Sequence, residues 1–476
     1  MIRRIIYGPP GTGKTTTLVG IINELVEGGV YPGKICVLSF SKAASITISR
    51  RLIHQIGFVG TIHSLCHRLM IRGHNGRSLM SSDDVQAFLD NNGFYSSHQI
   101  SSAFLSKGDE YVNAITMFDD KLPPDDFFKV GSLVEYKTVL QNYLSYKKAN
   151  DLFTFNELLS GTTPSVTNSV NYDYLILDEA QDLNVAQWDV IRNLAKNMSG
   201  GIIVAGDDDQ TIYKFLGADP RLMVEFAEEF KLDSCVLSQS YRVPRSVHSI
   251  ANTVIKTVKS RVDKEYFPRP DDGRVFMNVL NQSSLIGINP KCCVLVRIGG
   301  LLGNVGRSII MSGAVPSRFG LENSCGFGSW FIAARLWYKK KLDGMLAVRY
   351  IRPHITEEGL MNSNASWDRA IKINKFDLDR LHKLRLVYTD EEIFDGKIPV
   401  VQCGTIHSAK GMEFDHVILI DSFCGKAKQN IQIDRDTEAR VAYVGATRAK
   451  KTLSILEWKD PFITPMIPNL FSYMVN

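Results

Sequence analysis

The run Gly8-Pro9-Pro10-Gly11-Thr12-Gly13-Lys14-Thr15-Thr16 has the residue types and spacing of a phosphate cradle. Glycines let backbone N–H groups converge on a phosphate without Cβ obstruction. Lys14 suits the β- and γ-phosphates, and the Thr15 hydroxyl suits magnesium. A paired-carboxylate turn, Asp178-Glu179-Ala180-Gln181-Asp182, supplies the complementary chemistry. Asp178 can hold magnesium, directly or through water, and Glu179 can polarise an attacking water. Gln210 is the neutral donor and acceptor of the turn Gly206-Asp207-Asp208-Asp209-Gln210, suited to sense a γ-phosphate or its attacking water. Arg448, in Gly445-Ala446-Thr447-Arg448, has the fixed donors of an arginine finger, a role that depends on context. Nucleoside triphosphate hydrolysis is the chemistry these residues point to. They do not say what it drives.

Each of these groups needs a strand to deliver it. Ile5-Ile6-Tyr7 precedes the glycine turn, and Leu18-Val19-Gly20-Ile21-Ile22 continues it as an amphipathic helix. Residues 35–39 read as a second buried strand, with a helix opening at Phe40-Ser41-Lys42-Ala43-Ala44 and running towards Leu52. Gly60-Thr61-Ile62-His63-Ser64 leads to a helix expected from about Leu65; His63 is equally a structural histidine if it stands alone. Tyr174–Leu177 and Ile202–Ala205 are the apolar strands that end in the acidic turns. Polar groups at strand ends are where ligands meet an α/β sheet.

At 476 residues the chain is long enough for two or more cores. Its 44% hydrophobic and 22% charged content is that of a soluble globular protein, and no run of about 18 apolar residues suggests a membrane span. The phosphate cradle begins too close to the N-terminus for a signal peptide, so an intracellular location is expected. The eight cysteines lack metal-ligand spacing and read as reduced thiols. A net charge of +5 is weak support for a polyanionic partner. Between residues 73 and 165 there are twelve Asp/Glu against seven Lys/Arg, with helical patterns at 82–92 and 132–150. This reads as a mainly helical insertion in the first α/β domain. After a helix expected over 246–258, strands at 275–279 and 292–296 start a second α/β region; 299–328 is Gly/Ser-rich and gives no assignment. Residues 335–385 carry twelve Lys/Arg against six Asp/Glu, a basic insertion or a solvated face. Val417–Ile420 reads as a strand and Glu438–Val444 as a helix. Tyr213-Lys214-Phe215 can stack bases and contact a backbone, although core packing explains one ring as well.

These blocks together resemble superfamily 1 DNA helicases of the UvrD/Rep branch. Gly8–Thr17, Ser39–Ala44, Thr61–Ser64, Asp178–Asp182, Gly206–Ala218, Gln239–Arg242, Gly404–Phe414 and Glu438–Ala449 match its ordered motifs. The resemblance implies an α/β fold of two RecA-like P-loop domains with parallel sheets, each interrupted by a mainly helical or mixed insertion. The implied division is 1–72 and 171–234 for the first motor domain around insertion 73–170, then 235–310 and 396–476 for the second around 311–395. It implies ATP and Mg²⁺ as cofactors, with Lys14, Thr15, Asp178, Glu179 and Gln210 forming the ATP site of the first domain. It further implies Arg242 and Arg448 on the γ-phosphate, Tyr241 beneath the adenine and Glu413 near the ribose. Phe40, Thr61, His63, Tyr213, Phe215 and His407 resemble positions along a DNA track.

Three departures stand out. The glutamine segment that reads adenine in relatives has no counterpart before Gly8, so base selectivity is expected to be loose. Phe215 stands where many relatives have tryptophan, and Leu216 where an arginine is common. The length suits a viral, phage or mobile-element member. The expected activity is ATP-dependent 3′-to-5′ translocation on single-stranded DNA with duplex unwinding, as a monomer or otherwise. Expected partners are single strands, junctions and replication or repair proteins. The alternatives are a translocase that strips proteins, an RNA-directed helicase and a non-enzymatic binding module.

Overall fold

The computed structural model describes residues 1–73, 78–80, 82–94, 107–118, 122–123, 127–128, 130–162, 167, 170–280, 292–311, 315–318, 329–342, 351–373, 378, 381–382, 384–386, 388–395, 400–421 and 434–458. It forms two compact units. One comprises Met1–Tyr7, Lys14–Gly206 and Phe215–Cys235; the other comprises Gly8–Gly13, Asp207–Lys214 and Val236–Asn476. The glycine loop and the acidic turn at 207 therefore pack with the second unit, although the strands that deliver both belong to the first.

The first unit is built on a six-stranded sheet in the order Phe58–Thr61, Ile35–Ser39, Tyr174–Asp178, Gly201–Gly206, Ile2–Tyr7, Asp233–Val236. The four pairings among its first five strands are parallel. A parallel sheet covered on both faces demands continuously apolar strands, and Ile35–Ser39 and Gly201–Gly206 are buried along their whole length. Parallel alignment also puts Tyr7, Ser39, Thr61, Asp178 and Gly206 at the same end of the sheet. Helix Lys14–Glu27 buries Leu18, Val19, Ile22 and Leu25, one stripe at helical spacing. The helix expected from about Leu65 begins at Ile62, because the Thr61 hydroxyl accepts the Ser64 N–H at 3.2 Å and caps it. Between sheet strands, helices Ser82–Asn91, Lys107–Phe118 and Leu133–Ala149 pack around Phe88, Leu89, Tyr111, Ile115, Tyr136 and Tyr143. The acidic segment is thus a helical insertion with its own core.

The second unit contains another six-stranded sheet, in the order Arg274–Leu280, Ala449–Trp458, Phe414–Ile420, Cys292–Val296, Val400–Thr405, Val315–Arg318. All its pairings are parallel. Gly/Ser-rich residues 299–328, unassigned from sequence, contain helix Leu302–Met311 and edge strand Val315–Arg318. A mixed insertion follows, cored by Trp330, Phe331, Trp337, Trp367 and Phe394, with the Arg385 guanidinium 4.6 Å from the Trp367 ring centroid. The architecture is two parallel-sheet α/β bodies, each interrupted by an insertion. Among the described residues no helix is long and apolar enough to cross a membrane.

Candidate nucleotide and nucleic-acid sites

In the first unit Asp178 ends a buried strand and is itself fully buried. The Thr15 hydroxyl donates to its Oδ2 at 2.9 Å, and the Glu179 N–H donates to its Oδ1 at 2.9 Å. Burial, and then the neighbouring Glu179 charge, push the Asp178 carboxyl up to about 6, with Lys14 opposing them. A buried carboxylate–hydroxyl pair carrying more negative charge than its surroundings neutralise fits a hard divalent cation such as Mg²⁺. Glu179 has left-handed backbone, φ 53° and ψ 41°, a conformation that non-glycine residues hold at a cost of about 1 kcal/mol or more. Its Oε2 accepts from Gln181 Nε2 at 2.6 Å.

This burial predicts a pH-dependent stability effect. Asp178 is harder to ionise folded than unfolded, so its contribution favours the fold below about pH 4 and is lost as pH rises through about 6. Asp178→Asn removes the charge; its oxygen still accepts the Glu179 N–H, and its NH₂ donates to the Thr15 hydroxyl, which turns to accept. In magnesium-free buffer at pH 8 it is expected to stabilise the protein by on the order of 2–3 kcal/mol, with the gain shrinking towards pH 5. Urea titrations at the two pH values measure this. Equal wild-type and variant stability at pH 8 would show that the carboxylate pays no burial cost.

In the second unit the glycine loop lies against the strand Gln239–Pro244. Ser240 Oγ donates to Pro10 O at 2.8 Å, and the Tyr241 N–H donates to Gly11 O at 2.9 Å. Gly11 has φ +74°, and a Cβ there would overlap Arg242 Cβ, so both conformation and space require glycine. Gly13, at φ +87°, shares the backbone requirement. Arg242 Nε donates to Glu413 Oε2 at 2.7 Å, and Glu413 is held below its usual range, against its burial, by Arg242 and Lys450. The Tyr241 ring is exposed and can stack on a base.

Gln210 is buried in this unit. Its Nε2 donates to Asp207 Oδ2 at 2.8 Å, and its Oε1 accepts from Arg448 Nη2 at 3.2 Å. Lys410 Nζ donates to the Gln210 carbonyl at 2.6 Å and lies 5.2 Å from the Tyr213 ring centroid. Tyr213 Oη donates to His407 O at 3.1 Å. The His407 ring Nε2 lies 3.1 Å from Ile212 O, an acceptor only, which assigns the proton to Nε2. Burial, reinforced by Arg297, pushes His407 down to about 4. It is therefore neutral at physiological pH.

The Thr-Ile-His-Ser sequence occurs twice, and both copies fold alike. Ser64 and Ser408 each donate an N–H to the threonine Oγ1 at 3.2 Å, and their hydroxyls donate to the threonine carbonyl at 2.7 and 2.8 Å. Each copy closes a sheet strand and fixes a histidine, His63 in the first unit and His407 in the second. Phe40 and Phe215 also fall in the first unit, Phe215 with an exposed ring. Thr16 accepts weakly from Arg51 Nη1 at 3.4 Å.

Comparison with known proteins agrees with this arrangement. Residues 3–231 match the model of the UvrD/REP helicase N-terminal domain, and residues 360–459 match that of the UvrD-like helicase C-terminal domain. The chain belongs to the UvrD/Rep-like helicases of superfamily 1. A probable DNA helicase II homolog of Mycoplasma pneumoniae is 23% identical over 99% of this chain and 84% of its own length. A second Mycoplasma pneumoniae protein, a probable DNA helicase, is 23% identical over 95% of this chain and 80% of its own. The ATP-dependent DNA helicase PcrA of Staphylococcus epidermidis is 27% identical over 55% of this chain and 39% of its own. Membership in the UvrD/Rep family makes this an NTP-hydrolysing helicase acting on nucleic acid.

Sequence reasoning passed over several residues around the UvrD-like motifs. Lys410 and Ser240 lie inside quoted motifs, and only the fold shows that they reach Gln210 and Pro10. Arg261 and Lys264 lie outside every quoted motif, between the helix expected over 246–258 and the strand at 275–279.

Proposed function

We propose that the chain is an ATP- and magnesium-dependent DNA helicase that moves 3′ to 5′ along a single strand and separates duplex ahead of it. Its motor domains would comprise 1–72 with 171–234 and 235–310 with 396–476, around insertions 73–170 and 311–395. The observation that carries this reading is the joint held by Lys410. One ammonium binds the carbonyl of Gln210, a candidate γ-phosphate sensor, and faces the ring of Tyr213, a candidate base-stacking residue. A change of hydrogen bonding at Gln210 is thereby transmitted to a nucleic-acid contact three residues away. The neutral His407, bonded to Ile212 O, stiffens the same turn.

Thr15 and Asp178 would hold Mg²⁺, which would neutralise phosphate charge during hydrolysis. Lys14 would bind the β- and γ-phosphates, Glu179 would orient and deprotonate the attacking water, and Arg242 and Arg448 would stabilise charge on the transferring group. Tyr241 would stack on the adenine, with Glu413 beside the ribose. Phe40, Thr61, His63, Phe215, Tyr213 and His407 would line the DNA.

Unwinding of 3′- and 5′-tailed duplexes tests activity and polarity together, with ATPase measured beside it on DNA and RNA single strands. Expected are unwinding of the 3′-tailed substrate alone and stronger stimulation by DNA. Single-strand affinity should fall steeply between about 50 and 200 mM salt, because phosphate contacts release counterions. ATPase indifferent to single strands would defeat the reading, and stronger stimulation by RNA would redirect it. A protein-stripping translocase is the second reading. It is favoured by Leu216, an exposed apolar side chain that cannot make the charged contact of an arginine. Strong single-strand stimulation without unwinding would select it.

A further inference from the structure

Asp207, Asp208 and Asp209 are three consecutive buried carboxylates. Desolvation and mutual repulsion make that arrangement costly unless cations are built in. Lys264 is one: its Nζ lies 3.3 Å from Asp207 Oδ1, 2.6 Å from Asp208 Oδ1 and 2.7 Å from Asp209 Oδ2. Arg261 forks onto Asp209 at 3.0 and 2.7 Å. Burial alone would push the Lys264 ammonium down, but the three carboxylates outweigh it and hold it above its ordinary value.

The three carboxylates are not equivalent. Asp208 and Asp209 direct their oxygens to Lys264, Arg261 and the Val262 N–H. Asp207 faces two ways. Its Oδ1 meets Lys264 and accepts the Asp209 N–H at 3.3 Å, while its Oδ2 accepts from Gln210 Nε2. A glutamine amide presents oxygen or nitrogen according to its partners. A carboxylate accepts only, so Asp207 draws the amide nitrogen and turns Oε1 towards the Arg448 guanidinium.

We propose that Lys264 and Asp207 are positioning residues for hydrolysis: Lys264 fixes the Asp207 carboxylate, and Asp207 fixes which face Gln210 presents to Arg448. The proposal rests on the reading of Gln210 as a residue of the hydrolytic site. It predicts a specific failure. In Asp207→Asn the side-chain oxygen stays with its two donors, Lys264 and the Asp209 N–H, leaving the new NH₂ against Gln210. The Gln210 amide then reverses and sets its own NH₂ against Arg448, a donor facing a donor.

Asp207→Asn is isosteric and leaves two negative charges with Lys264, so it is the main variant. Lys264→Met strips the cation from three carboxylates and can fail to fold. Steady-state ATPase with saturating single-stranded DNA is measured for Asp207→Asn, Gln210→Ala and the double variant, with thermal unfolding of each. The expected result is a fall in kcat on the order of 10²-fold for Asp207→Asn, with KM for ATP little changed. On the Gln210→Ala background the same substitution should cost nothing further. A full additional loss there, or wild-type kcat for Asp207→Asn beside an impaired Gln210→Ala, overturns the positioning role alone. Wild-type kcat for Gln210→Ala overturns the underlying site reading and the positioning role with it.

Discussion

Glu179→Gln is expected to lower ATP turnover by on the order of 10²–10³-fold while leaving nucleotide affinity nearly unchanged. A positioned general base contributes about 10²–10⁴-fold, and an amide cannot accept the proton. The structure makes this substitution unusually clean. Glutamine at 179 has the same shape in the same left-handed backbone and keeps an acceptor oxygen for Gln181 Nε2. Its effect on Asp178 runs opposite to an inactivating one. The Glu179 charge helps hold the Asp178 carboxyl high, so its removal leaves Asp178 more fully ionised at neutral pH and a better cation ligand. Lost turnover would therefore not be lost magnesium. Fluorescent-nucleotide titration beside an ATPase assay decides the matter, and near-normal turnover would reject Glu179 as the base.

How much of this site could be read from sequence depends on how its residues are held. Lys14, Thr15, Asp178 and Glu179 sit on strand ends or helix starts whose apolar patterns are unmistakable, so motif and position arrive together. Ser240 and Lys410 are different: their function here is a contact to backbone carbonyls, which any donor of suitable length can make, and spacing carries no trace of it. Lys264 is further removed. A lysine in a polar segment reads as a solvated charge, and only the fold shows it enclosed by three carboxylates. His407 was legible as a residue but not as a neutral one, since its state follows from burial and the Ile212 carbonyl.

The fold shows the same division. Continuous apolar runs such as Ile35–Ser39 and Val417–Ile420 declare buried parallel strands. Ala449–Trp458 does not, because Lys450, Lys451 and Glu457 interrupt its pattern, yet it pairs with two neighbours inside the second sheet. Gln239–Pro244 was legible as a motif and not as a strand, since Gln239, Ser240 and Arg242 break any apolar run and Pro244 ends it. Parallel pairing joins residues far apart in sequence, and local propensity does not encode it.

Arg448→Lys is expected to reduce turnover by on the order of 10³-fold and also to destabilise the protein, and the two effects must be separated. An arginine that stabilises a transferring phosphoryl group contributes about 10³–10⁵-fold, and its planar fork has no equivalent in an ammonium. Arg448 is only 1% exposed. Its Nε donates to Val444 O at 3.0 Å, Nη1 to Met412 O at 3.3 Å and Nη2 to Gln210 Oε1 at 3.2 Å. Its carbonyl accepts the Phe414 N–H at 3.0 Å, which fixes the start of strand Ala449–Trp458. Lysine keeps the charge but cannot serve three divergent acceptors, and each buried acceptor left unmatched costs about 1–3 kcal/mol. Val441→Ala, fully buried in helix Arg435–Ala446, which ends two residues before Arg448, supplies the comparison: it opens a small cavity and leaves the guanidinium's acceptors in place. If Arg448 acts in the chemistry, Val441→Ala lowers the melting temperature and keeps turnover, whereas Arg448→Lys loses turnover at temperatures where both variants are fully folded. Single-strand affinity without nucleotide should stay near wild type in both. Parallel losses of turnover and stability in the two variants would make Arg448 a structural residue and remove it from the chemistry.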